Sequence, residues 1–121
     1  MSTTPNSAGA LLVACLCADW CSTCRDYAAV FESVERQFEA RAQFVWVDVE
    51  DDDEALGALD VQDFPTLLIA RGEQIVFFGP VMPHERTAVA LIERALVGEL
   101  ADVKDAALAG VAGRVRALAG R

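Results

Sequence analysis

The sequence predicts an α/β fold, a central mixed β-sheet flanked by helices, and three observations carry that expectation. An unbroken apolar run from Ala10 to Cys17 (ALLVACLC) has the pattern of a strand buried on both faces of a sheet. Helical stripes and short β-like runs then alternate in the order β-α-β-α-β-β-α, as layered α/β domains do. Finally, 121 residues that are 54% hydrophobic and 24% charged suffice for one compact core.

The elements follow in order. Residues 1–9 (MSTTPNSAG) are small and polar, and are expected to be disordered. After the buried run, residues 22–40 place Cys24, Tyr27, Ala28, Phe31, Val34 and Phe38 three or four apart, one stripe on a helix. Cys21 therefore stands at that helix's N-terminus. Residues 43–50 (QFVWVDVE) are rich in Val and aromatics and read as a second strand. Residues 51–59 (DDDEALGAL) read as a short helix whose acidic first turn matches the positive end of the helix dipole.

Residues 66–70 (TLLIA) and 74–78 (QIVFF), joined by Arg71-Gly72-Glu73, form a predicted hairpin, and Gly79-Pro80 ends its second arm. Residues 85–97 make another amphipathic helix. Two right-handed crossovers are expected to give parallel neighbours, and the hairpin to add antiparallel strands. In residues 101–119, Val103, Ala107, Val111, Val115 and Leu118 recur at near-helical spacing, though Gly110 and Gly113 each weaken a helix by about 1 kcal/mol relative to Ala. The expected organisation is a disordered stretch 1–9, a domain over 10–99, and a helical C-terminal extension over 100–121 packed on it.

Charge excludes some functions. The formal net charge is −9, and residues 1–70 hold 13 acids against 3 bases while residues 71–121 hold 6 against 7. An acidic surface repels phosphate backbones, so no nucleic-acid partner is expected. The first cation is Arg25, so the cationic start of a secretory signal is missing. Leu12-Val13-Ala14-Cys15 matches a lipoprotein cleavage box, but only Ala10 and Leu11 lead into it, and it reads as a chance match. No apolar run reaches the length of a membrane span, so the expectation is a cytoplasmic chain with no membrane partner. In that reducing compartment, closely spaced cysteines are more often catalytic or metal-binding than structural.

All four cysteines lie in residues 15–24. A thiolate at Cys21 would face unpaired backbone N–H groups and the positive end of the dipole, both of which stabilise a negative sulfur. Cys24, one turn later, is near enough to close a disulfide with it. Cys21 is thus the candidate nucleophile toward a substrate disulfide and Cys24 the resolving thiol. Arg25 adds positive charge, and Ser22 and Thr23 can offer hydroxyl donors. The competing account is a pair of cysteines merely buried on a helix; Trp20 directly before the pair, and the pair's place at a helix start, weigh against it.

Cys15 and Cys17 are two apart on the strand, on one face and about 6.6 Å apart, so a bond between them would be strained. Both read as small buried hydrophobes. A zinc site using Cys15, Cys17, Cys21 and Cys24 is the sharper alternative, but structural zinc knuckles usually come from two loops, and no metal or other cofactor is expected. His84, the single histidine, reads as a surface residue.

Over residues 11–97 the chain resembles the thioredoxin family. The resemblance rests on Trp20-Cys21-Ser22-Thr23-Cys24 after a buried strand, on Phe64-Pro65-Thr66 opening the hairpin, and on Gly72-Glu73 and Gly79. It implies a thioredoxin-like fold, N-terminally trimmed, with the C-terminal helix covering surface left bare. It also implies a thiol–disulfide oxidoreductase acting on protein disulfides and regenerated by a thioredoxin reductase or a low-molecular-weight thiol.

Pro65 would be the family's cis proline beside the redox pair, leaving the Phe64 backbone free to pair with an extended substrate segment. Phe64 would supply an apolar wall, and Trp20 the exposed aromatic beside the nucleophile. This sequence departs from the family in three places. Cys15 stands where the family carries a buried carboxylate, and Trp46 stands at about the position of its companion lysine. Ser-Thr replaces Gly-Pro between the cysteines. An ionisable pair has become apolar, which leaves Cys24 without an evident internal base and admits a second reading, a binding or chaperone module with a slow or regulatory C-x-x-C.

Overall fold

The computed structural model describes residues 11–119, so the expectation of disorder over residues 1–9 lies outside the described residues. Strand β1 (Leu11–Cys17) is followed by helix α1 (Ser22–Phe38), strand β2 (Ala42–Asp48), the short helix α2 (Asp53–Leu56), strands β3 (Thr66–Arg71) and β4 (Gln74–Pro80), and helix α3 (Glu85–Leu96). A 3-10 turn at Ala106–Leu108 leads into the last helix, α4 (Val111–Leu118). The sheet order is β2-β1-β3-β4.

All seven residues of β1 are buried, as an unbroken apolar run requires when a sheet is covered on both faces. Side chains alternate along a strand, so the run serves two cores. Leu11, Val13, Cys15 and Cys17 pack with Cys24, Tyr27, Phe31, Val34 and Phe38 of α1 and with Ala88, Ile92 and Ala95 of α3. Leu12, Ala14 and Leu16 pack on the opposite face with Leu56, Leu108, Val111, Ala112 and Val115. The stripe foreseen on α1 is the buried stripe, except that Ala28 is half-buried at its edge.

One expected pairing is corrected. β1 and β2 run parallel, from Leu11 beside Ala42 to Cys17 beside Asp48. β3, however, lies beside β1 and antiparallel to it, with Thr66 next to Leu16 and Arg71 next to Leu11. The lengths explain this. A seven-residue strand spans about 23 Å, and the 17 residues of α1 span about 25 Å, enough to carry the chain back to the start of the sheet. Helix α2 covers only about 6 Å, and the loops around it keep the chain at the end where β1 finishes, where the Val49 amide donates to the Cys17 carbonyl and Phe64 meets Trp20. β3 therefore starts at the end where β1 and β2 finish, and runs down. The β3–β4 hairpin turns through Gly72, whose φ of 61° suits the first central position of a two-residue hairpin loop.

The C-terminal helix is also shorter than its pattern. Residues 101–105 are not helical, and the Val103 amide donates to the Ile75 carbonyl at 2.7 Å. Gly110, at φ 76°, then starts α4 in a left-handed conformation that a helix spanning 101–119 could not contain. Arg114 Nε donates to the Ala55 carbonyl at 2.9 Å and Arg116 Nη1 to the Gly72 carbonyl at 2.8 Å, which ties α4 to α2 and to the hairpin.

Candidate functional site

The short α2 has a consequence for chemistry. Because β3 begins at the upper end of the sheet, the segment before it, with Phe64 and Pro65, lies beside the turn that follows β1. The Phe64–Pro65 bond is cis. Pro65 is buried, its carbonyl accepts from the Val81 amide at 3.0 Å, and the Thr66 hydroxyl donates to the Asp63 carbonyl at 2.5 Å. The loop is thus fixed from both sides of the proline.

Trp20 is 63% exposed, and its ring meets Phe64 edge-on at a centroid separation of 5.7 Å. Its indole Nε1 donates to Glu50 Oε2 at 3.1 Å. Glu50 is held in turn by a folded acidic turn in which Asp48 Oδ1 accepts from the amides of Glu50 and Asp51, at 2.9 and 3.0 Å. Sequence reasoning overlooked Glu50, whose link to Trp20 spans 30 residues and leaves no local signal.

Cys21 is the N-cap of α1 (φ −89°, ψ 119°), with no side-chain cap hydrogen bond. Its amide donates to the Ala18 carbonyl at 3.0 Å, which closes the turn after β1. It is half-buried and carries a free thiol. Ser22 is exposed and Thr23 half-buried on the first turn. Arg25 does not reach toward the sulfurs through its hydrogen bond: its Nη1 donates to the Asp19 carbonyl at 3.1 Å, bracing the turn.

Cys24 points inward, 1% exposed, and is bonded to Cys17, with the two Cα atoms 5.7 Å apart. This pairing differs from the one the motif suggests. Helical side chains lean toward the helix N-terminus, and the N-terminus of α1 lies over the end of β1. Cys24 belongs to the buried stripe, so its sulfur leans onto the inward face of the strand end, where Cys17 stands. The expectation that Cys17 is a free buried hydrophobe is corrected: it is buried, and it is bonded. The signal was present, since an odd-numbered face of β1 and a stripe containing Cys24 must share one core.

Cys15 is fully buried, its Sγ 3.7 Å from Cys17 Sγ, in contact but unbonded. Burial pushes its thiol well above the ordinary range for cysteine, so it stays protonated and cannot accept a proton near neutral pH. Burial and the neighbouring Cys15 likewise push the Tyr27 phenol up, and its hydroxyl has no hydrogen-bond partner. Trp46 is the register partner of Cys15 on β2 and stacks edge-on against Phe31 at 5.8 Å. Two of the three departures from the family pattern are therefore side-by-side positions in the sheet. A cavity of about 290 Å³ opens beside Cys24, walled by Arg25, Trp46 and Asp48. Among the described residues no group of three or more His, Cys, Asp or Glu side chains is placed to hold a metal ion, and no helix is long and apolar enough to cross a membrane.

The family model for thioredoxin matches residues 3–89. The chain belongs to the thioredoxin family. It is 30% identical over 59 residues to the thioredoxin of Bacillus subtilis and 34% identical over 59 residues to that of Listeria monocytogenes, matches covering 49% of this chain and 57% of each relative. The chain thus spans little more than half the length of these relatives. Among solved structures it is similar to Fasciola hepatica thioredoxin, at a TM-score of 0.65 and 26% identity, over 74% of this chain and 86% of that one. It is also similar to a mutant thioredoxin from Halobacterium salinarum, at a TM-score of 0.62 and 26% identity, over 72% of this chain and 75% of that one. The thioredoxin fold is shared with these structures.

Proposed function

We propose that the protein is a thiol–disulfide oxidoreductase acting on protein disulfides in the cytoplasm, with Cys21 as nucleophile and Cys24 as resolving thiol. The observation that carries this reading is the placement of Cys21. It is a free, half-exposed thiol at a helix N-terminus, next to the exposed Trp20, whose ring meets the half-buried Phe64 of the cis Phe64–Pro65 bond. The Cys21 thiolate attacks one sulfur of the substrate disulfide, forming a mixed disulfide and releasing the other sulfur as a thiol. Cys24 then attacks Cys21 Sγ, closing a protein disulfide and releasing the second substrate thiol. A substrate segment seats over Trp20, Phe64 and Pro65, pairing with the Phe64 backbone as an added strand. A thioredoxin reductase or a low-molecular-weight thiol returns the electrons.

Cys21→Ser should abolish reduction of insulin disulfides, followed by the turbidity of the freed B chain. Turnover at the wild-type rate in that variant would overturn the assignment. A second reading, a thioredoxin-fold binding or chaperone module with a slow or regulatory C-x-x-C, draws on Cys15. Its protonated thiol occupies the place of a proton acceptor and cannot serve as one. Substrate turnover indistinguishable from the uncatalysed rate, with Cys21 and Cys24 intact, would favour it.

A further inference from the structure

The four sulfurs form a line from surface to core. Cys21 is half-exposed; Cys24 is one helical turn behind it; Cys17 is bonded to Cys24; and Cys15 touches Cys17 at 3.7 Å. Cys24 has a bonding partner available on each side, Cys21 along the helix and Cys17 across to the strand. We propose that Cys17 is a second resolving cysteine, which takes Cys24 over from Cys21 and so restores a free surface thiol in the oxidised protein. The proposal rests on the reading of Cys21 as nucleophile and Cys24 as resolver.

The step is an internal exchange with no net electron transfer. The substrate disulfide has already oxidised the protein by two electrons and left a Cys21–Cys24 bond. The Cys17 thiolate attacks Cys24 Sγ; the Cys17–Cys24 bond forms as the Cys21–Cys24 bond breaks, and Cys21 departs as a thiolate. The proton Cys17 gives up is matched by the one Cys21 takes from solvent. Two features favour this direction. A thiolate leaving at the N-terminus of α1 meets unpaired backbone N–H groups and the positive end of the dipole, whereas one left on buried Cys17 meets neither. The product is also the pair that the packing of α1 on β1 holds together, at a Cα separation of 5.7 Å. Cys15, held protonated, can donate its S–H to the Cys17 sulfur across their contact and steady it while it is unbonded.

The consequence is chemical. A protein oxidised at Cys21–Cys24 alone is inert toward a further disulfide. One oxidised at Cys17–Cys24 keeps the Cys21 thiol and can still form a mixed disulfide, but has no Cys24 thiol to resolve it. The exchange turns a two-thiol reductant into a one-thiol form until Cys17–Cys24 is reduced.

The sequence provides a clean assay. Cleavage before Asp19 and Asp26 frees the peptide 19–25, with Cys21 and Cys24, from the peptide that carries Cys15 and Cys17. The reduced full-length protein is mixed with excess insulin, quenched in acid at intervals, alkylated, cleaved and weighed by mass spectrometry. The expected course is an early 19–25 peptide closed on itself, giving way to one joined through Cys24 to Cys17, with Cys21 either alkylated or carrying an insulin chain. Cys17→Ser should stop at the closed peptide and show no reactive surface thiol when oxidised.

A wild-type end point with the closed peptide and both strand cysteines alkylated overturns the proposal while leaving the roles of Cys21 and Cys24 standing. Formation of the Cys17–Cys24 link in Cys21→Ser as fast as in wild type overturns it too, since the link would then be independent of Cys21. Failure of the underlying reading shows separately, as undiminished insulin reduction by Cys21→Ser.

Discussion

Replacing Cys15 by aspartate tests how the core treats the position where the family carries a carboxylate. The site is fully buried, flanked on the sheet by Trp46 and Leu67, with Cys17 and Tyr27 as its polar neighbours. No cation is among these neighbours, so desolvation dominates and raises the carboxyl's pKa in the folded state. Taking a rise of about 3 pH units, within the range for fully buried groups, at about 1.36 kcal/mol per unit, the charged form costs about 4 kcal/mol. That is a large share of a domain stability of about 5–15 kcal/mol.

The sign follows from linkage. The folded pKa lies above the unfolded one, so the variant loses stability as pH rises from about 4 to about 7, and the penalty then levels off. Urea unfolding of Cys15→Asp and wild type at about pH 4.5 and pH 7.5 measures the widening gap directly. A gap equal at both pH values within about 1 kcal/mol would refute the reasoning, because it would mean that the site solvates a carboxylate as well as the unfolded chain does. The ionised fraction should also give the adjacent sulfurs a proton acceptor, so insulin reduction per folded molecule should rise with pH more steeply than in wild type.

Three further outcomes follow from single sites. Burial pushes Cys15 above its ordinary value of 9.0 and Tyr27 above 10.0, so the stability tied to their neutral forms is full below about pH 9 and is lost as pH rises further. Denaturant midpoints at about pH 8 and pH 10.5 should show this, and Cys15→Ala should flatten the first part of the decline. Tyr27→Phe removes a buried hydroxyl that has no partner and should stabilise the fold by about 1 kcal/mol in urea; a comparable loss would mean that the hydroxyl is satisfied. Gly110→Ala should cost about 1–2 kcal/mol, because φ is 76° and the new Cβ would lie 2.8 Å from Arg114 Nη1, while Gly110→Asn should cost less.

What could be read from the sequence was whatever depends on near neighbours. The burial of β1 on both faces, the stripe on α1 and the place of Cys21 at its start are local patterns, and the structure repeats them. The antiparallel entry of β3 depended on whether the connection around a four-residue helix returns along the sheet or stays at one end of it, which the alternation of elements conceals. The shortness of α4 turned on one backbone angle at Gly110, which near-helical spacing of valines does not report. Cys17 was assigned to the strand by its neighbours in sequence, whereas its bond is set by which residue of α1 lies above it.

Position along the depth of the core, more than motif, separates the four cysteines. Cys21 and Cys24 are three apart on one helix, yet one is half-exposed and the other 1% exposed, because the N-cap still belongs to the surface turn and the first full turn already belongs to the buried stripe. Cys17 and Cys15 continue inward along β1, each out of reach of water. A carboxylate at position 15 would need solvation or a nearby cation, and with Trp46 in the neighbouring register the sheet offers neither. A thiol there is stable because it remains neutral, and the same neutrality that removes a base leaves an S–H facing the Cys17 sulfur. In the proposed exchange that contact is what would steady the Cys17 sulfur while it is unbonded.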